Sequence, residues 1–465
     1  MRKSLHFLVS IVLLVSLVGL SSCKKENQNG VTFTATMEDC ADVHNAKTVL
    51  NGTVLQWVAG DEIKIHSTSV AVFTATPLNP ASEATFTTTD ASFNDGGSYI
   101  AFYPAANNPT YDRITLPATQ VSEDGSLRNF PMYAWADGTT NLQFRNLCGV
   151  LKLNLQKTGV TVTSIALTVN SPINGDYTLR NQFSSEATLV TSPSSGTGSN
   201  TTTLVCNQSI NTAHDFYIYL PEGTYSGLTL EITTTDGMVC TKGPATSSVS
   251  IIRSKYSTLT LGGNDLEFFN PSDWVDLGLP SGLLWATRNV GASSPEDYGN
   301  YYAWGETTTK STYDWTTYIY CNGSYNTLTK YCNNSSYGYD GFTDNLTILQ
   351  SGDDAATANY GGRTPTKEEW EELMANTTAQ WTTLNEVNGR LFTGSNGNSL
   401  FLPAAGGRWG SSLFSAGIDS YYWSSTLNTG YPGGALYFYF FSDSQGMNSL
   451  NRNSGLSVRA VRSAQ

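Results

Sequence analysis

The residues that could carry catalysis are few in this chain, and their types and spacing do not favour an enzyme. All four histidines lie at or before His214, so residues 274–465 contain neither a Ser-His-Asp nor a Cys-His arrangement. The same region offers paired carboxylates at 353–354, 368–369 and 371–372, the residue type that glycosidases use. Glutamate pairs in a helical pattern usually form a solvated face, so we predict no catalytic residue and no enzyme.

Carboxylates could instead bind a metal ion. Asp340, Asp344, Asp353 and Asp354 fall in one loop-rich region, and calcium takes about six to eight oxygen ligands. The sequence therefore leaves open whether these aspartates bind a structural calcium ion. No spacing of cysteines and histidines is that of a zinc site, so we predict no other metal and no cofactor.

The first of the seven cysteines ends an export signal. Arg2 and Lys3 precede an apolar run that is too short for a comfortable membrane span. The run ends in Leu-Ser-Ser-Cys at 20–23, which resembles the lipobox of bacterial lipoproteins. The resemblance implies a signal peptide at 1–22, acyl groups such as palmitate on Cys23, and an outer-membrane lipoprotein with a polar tether at 23–30. An ordinary secretory signal with a chance cysteine is the alternative.

A second pair of cysteines could form a disulfide. Cys321 and Cys332 flank a loop rich in Gly, Ser and Asn, and an exported protein can form disulfides. Such a bridge would contribute about 2–3 kcal/mol by restricting the unfolded chain. The alternative is that both are free and buried, and the sequence leaves the two open.

The composition indicates strands that position these residues. Charged residues make up 14% of the 465 residues, against about 25% in a typical globular protein. Ser, Thr, Asn and Gly supply the missing polarity, and 12% aromatics favour strands over surface helices. The net charge of −13 leaves no basic footprint, which excludes nucleic acid as a partner. The length suggests about three domains.

Residues 31–261 alternate apolar and polar side chains in short runs, which is typical of antiparallel sheets with one face in a core. A boundary near Gly159 divides them into units at 31–159 and 160–261. A polar segment with Asn270-Pro271 predicts a linker at 262–273, followed by a third unit at 274–465.

Four motifs in the first two units resemble the fimbrillin superfamily of Bacteroidetes. In chain order they are VLQWVAGDEI from Val54, YIAFYP from Tyr99, LPATQ from Leu116 and FRNLCGVL from Phe144. The resemblance implies two transthyretin-like β-sandwiches. It also implies assembly by strand exchange, in which one subunit's strand completes a sheet of another.

The third unit carries motifs of another family. They include WVDLGLPSGLLWATRNVGA, YYAWGET, GGRTPTKEEWEEL, YYWSST and GLSVRAVR. These resemble the Fibrobacter succinogenes major paralogous domain, which is related to C-type-lectin-like folds, and imply an α+β unit. The sugar-coordinating EPN, QPD and WND triplets of calcium-dependent lectins are absent. The chain as a whole is thus predicted to be mainly β.

Within this unit, Thr366 and Glu369 predict a capping box that starts a helix with Trp370, Leu373 and Met374 on one face.

Aromatic side chains are the candidate ligand-binding residues. The third unit holds eight of the ten tryptophans and 16 of the 25 tyrosines. The tryptophans inside its motifs are predicted to be core residues: Trp274, Trp285, Trp304, Trp370 and Trp423. Trp315, Tyr337 and Tyr339 lie outside the motifs and are predicted to face a ligand, because flat rings with polar edges suit sugars or protein surfaces.

The two resemblances together predict a fimbrial tip subunit for cell adhesion or biofilm formation. Shaft subunits of the superfamily donate a C-terminal strand and lose an N-terminal strand to a protease, often after arginine. Here the last strand is expected to close its own unit, and the first arginine after the signal is Arg113, with Lys47 the nearer basic candidate. The expected partners are other fimbrial subunits, the membrane through the lipid, and a host, bacterial or glycan ligand. The alternative is a surface lipoprotein that captures polysaccharide.

Overall fold

The structure is a computed structural model that describes residues 30–38, 41–42, 55–76, 79–123, 126–263 and 266–463. The predicted signal peptide, Cys23, most of the tether and Lys47 lie outside these ranges. The described residues form 33 strands and two short α-helices, so the prediction of a mainly β protein is confirmed. No helix among them is long and apolar enough to span a membrane.

The first eleven strands are β1 Phe33–Met37, β2 Ala41–Asp42, β3 Glu62–His66, β4 Val70–Ala75, β5 Glu83–Thr87, β6 Ser98–Tyr103, β7 Arg113–Leu116, β8 Thr119–Glu123, β9 Ser126–Leu127, β10 Met132–Asp137 and β11 Asn141–Asn146. Seven of them close into a barrel in the order β1-β11-β10-β6-β3-β4-β5. A closed barrel differs from the two-layered sandwich expected for this part of the chain. The reason is β1, which pairs antiparallel with β5 on one side and parallel with β11 on the other.

Alternation places the odd-numbered residues of β1 inside the barrel. Phe33 and Ala35 are fully buried, while Thr34 and Thr36 are half-buried. The Phe33 ring packs edge-on against Phe73, and the Trp57 indole N–H donates 3.0 Å to the Ala35 carbonyl. The first strand is therefore part of the barrel core.

The next strands are β12 Gly149–Gln156, β13 Val160–Thr168, β14 Gly175–Arg180, β15 Thr188–Leu189, β16 Thr201–Ile210, β17 His214–Leu220, β18 Gly223–Tyr225, β19 Thr229–Thr234, β20 Val239–Lys242, β21 Val249–Ile251 and β22 Lys255–Gly262. They build a sheet β17-β12-β22-β2 and a sheet β20-β19-β13-β16-β8-β9, whose apolar residues form one core. Strands β2, β8 and β9 come from the preceding region. β12 lies before Gly159 and contributes Leu151, Leu153 and Leu155 to this second core; the domain boundaries remain predictions.

The last region contains β23 Trp274–Asp276, β24 Leu283–Ala286, α1 Ala355–Asn359, α2 Lys367–Asn376, β25 Thr377–Leu384, β26 Val387–Gly394, β27 Ser399–Pro403, β28 Gly407–Trp409, β29 Ser412–Phe414, β30 Ser420–Leu427, β31 Gly434–Phe440, β32 Gln445–Asn451 and β33 Val461–Ser463. They form the sheets β23-β24-β33, β25-β26-β27 and β30-β31-β32 and the hairpin β28-β29. The lectin-like assignment of this region remains a prediction.

The predicted helix and the predicted tryptophan core are confirmed in this region. Thr366 caps α2 in a capping box with Glu369, and Trp370 and Leu373 are fully buried. The motif tryptophans are all buried, at 9% exposure or less: Trp274, Trp285, Trp304, Trp370 and Trp423. Trp370 stacks on Phe438 with ring centroids 4.6 Å apart, which ties α2 to β31.

Candidate functional site

The aspartates considered for calcium do not converge on one point. Asp344 accepts from the backbone N–H groups of Tyr331 and Cys332 at 2.7 and 2.8 Å. Asp354 caps α1 and accepts from Thr364. Asp353 accepts from three other side chains. Within the ranges that the structure describes, no group of three His, Cys, Asp or Glu residues could hold a metal ion.

The paired glutamates also have structural partners. Glu369 accepts 2.7 Å from the Arg363 guanidinium and closes the capping box of α2. Glu372 accepts from the backbone and hydroxyl of Ser281, and Glu371 pairs with Lys367 at 3.3 Å. These carboxylates therefore fix α2 and its surroundings.

The two cysteines of the possible disulfide are free thiols in the structure, and their pairing remains a prediction. Cys332 is buried, as the alternative of two free and buried thiols expects, whereas Cys321 is only half-buried. The Cys321 thiol donates to the Trp315 carbonyl at 3.2 Å, and the Cys332 thiol to the Asn334 carbonyl at 3.2 Å. Burial raises the pKa of Cys321 above its ordinary value, which keeps this thiol protonated at neutral pH.

The long irregular segment between β24 and α1 is held by tyrosine hydroxyls. Tyr301 donates to the Ala405 carbonyl at 2.5 Å, Tyr313 to the Tyr301 carbonyl at 2.6 Å, and Tyr318 to the Trp304 carbonyl at 2.7 Å. Each of these tyrosines is buried, so each ring also adds apolar packing. These hydrogen bonds hold the segment in place, although it contains almost no regular secondary structure.

Four rings lie together, three from this segment and one from the turn between β30 and β31, and we call them the aromatic patch: Trp315, Tyr325, Tyr337 and Tyr431. Tyr325 is central, with its ring centroid 6.4 Å from Trp315 and 6.3 Å from both Tyr337 and Tyr431. Tyr337 and Tyr431 meet edge-on at 5.5 Å. Tyr325 is 45% exposed and the other three are half-buried, so the patch combines packing with an accessible surface.

Two rings of the patch have further contacts that hold them in position. Trp315 packs edge-on against buried Tyr318 at 5.7 Å. Tyr431 lies over Gly433, where an added Cβ would come within 2.8 Å of the ring. Its hydroxyl donates to Asn451 at 3.2 Å, and burial raises its pKa.

The structure brings together two of the three predicted aromatic residues. Trp315 and Tyr337 belong to the aromatic patch. Tyr339 is 45% exposed but makes no ring contact within the described part of the chain, and its backbone N–H is bonded to the Leu328 carbonyl. Tyr325 and Tyr431 were not predicted from the sequence. Tyr431 follows α2 in the chain and only the fold brings it close, whereas Tyr325 lies between Trp315 and Tyr337 in the same segment.

Most polar residues next to the patch in sequence are neutral. The exception beside Trp315 is Asp314, which accepts from Thr316 and Thr317. Between Cys321 and Tyr339 the charged residue is Lys330, and it pairs with Asp353 at 2.5 Å. Exposed residues with amide or hydroxyl side chains lie close to the patch residues in sequence: Asn322, Asn326, Asn334, Ser335, Ser336 and Thr429. Exposed rings surrounded by neutral hydrogen-bonding groups suit a neutral, hydroxyl-rich ligand.

Asp353 is the acceptor for three side chains of the irregular segment between β24 and α1. It accepts from Lys330 at 2.5 Å, from Tyr320 at 2.7 Å and from Tyr331. Burial alone would raise the pKa of Asp353, but these hydrogen bonds and the Lys330 charge hold it below its ordinary value. Asp353 is therefore a charged hub that joins residues 320–331 to α1.

Comparison with known proteins gives distant similarities. No protein-family model and no curated protein sequence matches the chain. Among solved structures, a "putative cell adhesion protein" from Bacteroides uniformis is 17% identical, with a TM-score of 0.32, covering 52% of this chain and 96% of the other. A fimbrial protein from Bacteroides ovatus is 11% identical, with a TM-score of 0.25 and coverage of 93% and 99%.

A further similarity is to the tip fimbrial protein Mfa3 from Porphyromonas gingivalis. It is 12% identical with a TM-score of 0.23, covering 50% of this chain and 95% of that one. At these identities and scores, the neighbours do not by themselves assign a function.

Proposed function

We propose that this chain is a cell-surface fimbrial subunit that accepts a strand from a neighbouring subunit and presents the aromatic patch at the fimbrial tip. The observation that carries the proposal is the position of β1. A five-residue strand near the start of the described chain fills an interior place in a barrel, between β5 and β11. Because β1 is paired on both sides, a strand of another subunit in its place would complete two ladders at once.

Removal of β1 would leave two ladders without a partner. β5 and β11 would each expose backbone N–H and C=O groups, and the places of Phe33 and Ala35 in the core would be empty. An unpaired sheet edge favours pairing with another chain. β2 follows β1 and pairs with the outer side of β22, so departure of the same segment opens a second edge.

The last region is proposed to be the adhesive one. β33 pairs with β24 inside this region, so this strand is engaged in its own fold. The aromatic patch and the mostly neutral polar residues next to it favour a neutral glycan as ligand. The lipid on Cys23 would deliver the subunit to the outer membrane before or during assembly.

A disulfide that locks β1 in place tests the strand-acceptance step. Thr34 and Thr85 face each other across β1 and β5, and the Thr34 N–H points the other way, to Thr140. They therefore form a non-hydrogen-bonded pair, whose Cα atoms lie about 4.5 Å apart in antiparallel sheets. This Cα–Cα spacing lies within the usual range for disulfide-bonded cysteines, so it suits a Thr34→Cys/Thr85→Cys bridge.

We expect the oxidised double variant to be absent from fimbriae and the reduced one to enter them. The two single-cysteine variants are matched controls for pairing with native thiols. Incorporation of the oxidised variant at the level of the single variants would rule out replacement of β1. The polysaccharide-capture alternative predicts equal glycan binding by both redox forms without any assembly.

A further inference from the structure

Glu38, the residue that follows β1, enters a pocket lined by two arginines. Its carboxylate accepts from the Arg253 guanidinium at 3.0 Å, the Ser254 hydroxyl at 2.9 Å and the Asn146 backbone N–H at 2.9 Å. The Arg145 guanidinium lies 3.6 Å from its other oxygen. The Glu38 side chain is 18% exposed, so most of this recognition takes place out of water.

The backbone of Glu38 is held in the same place. Its N–H donates to the Phe144 carbonyl at 3.0 Å, and its carbonyl accepts from the Asn146 amide at 3.2 Å. Arg253 also donates to the Asn146 carbonyl at 3.0 Å. Asn146 ends β11 of the barrel, whereas Arg253 lies between β21 and β22 of the second core. The pocket thus joins the end of β1 to both cores.

Two cations would remain in this pocket when β1 leaves. With Glu38 in place, the Arg145 and Arg253 side chains are 38% and 24% exposed, so both are partly enclosed by the surrounding protein. Without Glu38, no carboxylate would lie between the two positively charged guanidinium groups. A partly buried charge without its partner is costly, so the vacated groove favours an incoming anion at this position.

We propose, resting on the strand acceptance proposed above, that the incoming strand carries a carboxylate at the position of Glu38 and that Arg145 and Arg253 select it. The occupant is a strand of a second subunit that runs in the direction of β1. The register of β1 specifies its other positions: an aromatic residue at the place of Phe33, a small one at Ala35, and then the acid. The arginine pocket sets the register as well as the partner, because a shift of one residue moves every side chain to the other face.

The size of the inward positions follows from their contacts. The Phe33 ring meets Phe73 at 5.0 Å and Tyr99 at 4.8 Å, both edge-on, so this site is shaped for a ring. The Ala35 carbonyl receives the Trp57 indole, whose ring fills the space beside it. The acid at the end of the strand is the charged element of this recognition.

The test uses the full chain with a specific protease site in place of residues 46–51, which lie outside the described residues. After folding and cleavage, exchange of the nicked segment is followed with fluorescent peptides of the sequence 31–38. The peptides are amidated at the C-terminus, so that no terminal carboxylate lies at residue 38. One is unchanged and one carries Glu38→Gln, which keeps the shape and removes the charge. A Thr34→Gln peptide is the control for substitution at an outward position.

We expect the Glu38→Gln peptide to bind about 10- to 100-fold more weakly than the unchanged one, since hydrogen bonds to charged groups are the strong ones. On a chain with Arg253→Gln, the two peptides are expected to differ less than about threefold, because the recognised charge pair is already broken. The Thr34→Gln peptide is expected to bind like the unchanged one. Because the decisive substitution is in the peptide, the folded chain is identical in both arms.

Binding of both peptides within twofold on the unmodified nicked chain would overturn carboxylate selection and leave strand acceptance standing. Glu38 would then be an ion pair that only holds β1. Failure of every peptide to enter, or unfolding of the chain on cleavage by circular dichroism, would overturn strand acceptance and this inference with it.

Discussion

Replacing Asp353 by asparagine tests what stabilises the irregular segment between β24 and α1, which carries three of the four rings of the aromatic patch. The side chain of Asp353 is 11% exposed and accepts from Lys330, Tyr320 and Tyr331. Tyr331 is fully buried and packs against Trp304 at 5.1 Å. Asparagine keeps the shape but has no charge, and its NH2 group would face donors.

The expected cost can be worked out from these contacts. Breaking a buried ion pair costs about 3–5 kcal/mol, because one charge is left unpaired. Lys330 is 30% exposed, so water takes up part of its charge and the lower end applies. We expect Asp353→Asn to lower the free energy of unfolding of this region by about 3 kcal/mol, with hydrogen bonds to charged groups worth about 1.5–3 kcal/mol each.

Urea denaturation followed by tryptophan fluorescence is the assay, because eight of the ten tryptophans lie from Trp274 onward. Asp314→Asn, at a carboxylate that bonds only within its own loop at Thr316 and Thr317, is the matched control. The pKa of Asp353 is lowered by folding, so its stabilisation is present above the unfolded pKa near 4 and is lost as the pH falls through the folded value. A loss below about 0.5 kcal/mol at pH 7, or one that does not shrink below about pH 3, would refute the role of the hub.

Three further outcomes are expected. Gly433→Ala should displace the Tyr431 ring, because the added Cβ would lie 2.8 Å from it. The displacement should weaken glycan binding, measured on a glycan array. Gly430→Ala is the control and should not weaken binding, because the nearest atom to its added Cβ is 3.5 Å away. Arg459→Met should destabilise the protein by about 2–4 kcal/mol in thermal or urea unfolding. The fully buried guanidinium donates to the Ala286 and Phe401 carbonyls, which would lose this donor. An unchanged unfolding midpoint would contradict this prediction. Cys321 and Cys332 should both react with a thiol reagent after unfolding without reductant, and a mass two hydrogens lower in the peptide pair would show a bridge instead.

Local patterns were enough to predict part of this fold. The strand periodicity gave a mainly β protein, and Thr366 with Glu369 gave the start of α2, because both signals lie within a few residues of each other. The motif tryptophans were correctly placed in the core. These are features that neighbouring residues determine.

The features that depend on distant contacts could not be predicted. β1 pairs with β11, more than 100 residues later, which closes the barrel. Tyr431 joins the aromatic patch from beyond α2, and Glu38 meets an arginine 215 residues away. No periodicity records such pairings, because they follow from how the sheets assemble. Cys321 and Cys332 lie close in sequence, but in the structure each thiol donates a hydrogen bond to a nearby backbone carbonyl and the two are not joined in a disulfide.

The central claim is that the chain is a strand-accepting subunit that carries its aromatic patch at the fimbrial tip. The most direct measurement is electron microscopy of cells that express it together with a shaft subunit, using gold-labelled antibody against residues 274–463. The account predicts gold at filament ends. Gold scattered over the cell surface or spread along the filaments would contradict it, and the first pattern would favour polysaccharide capture.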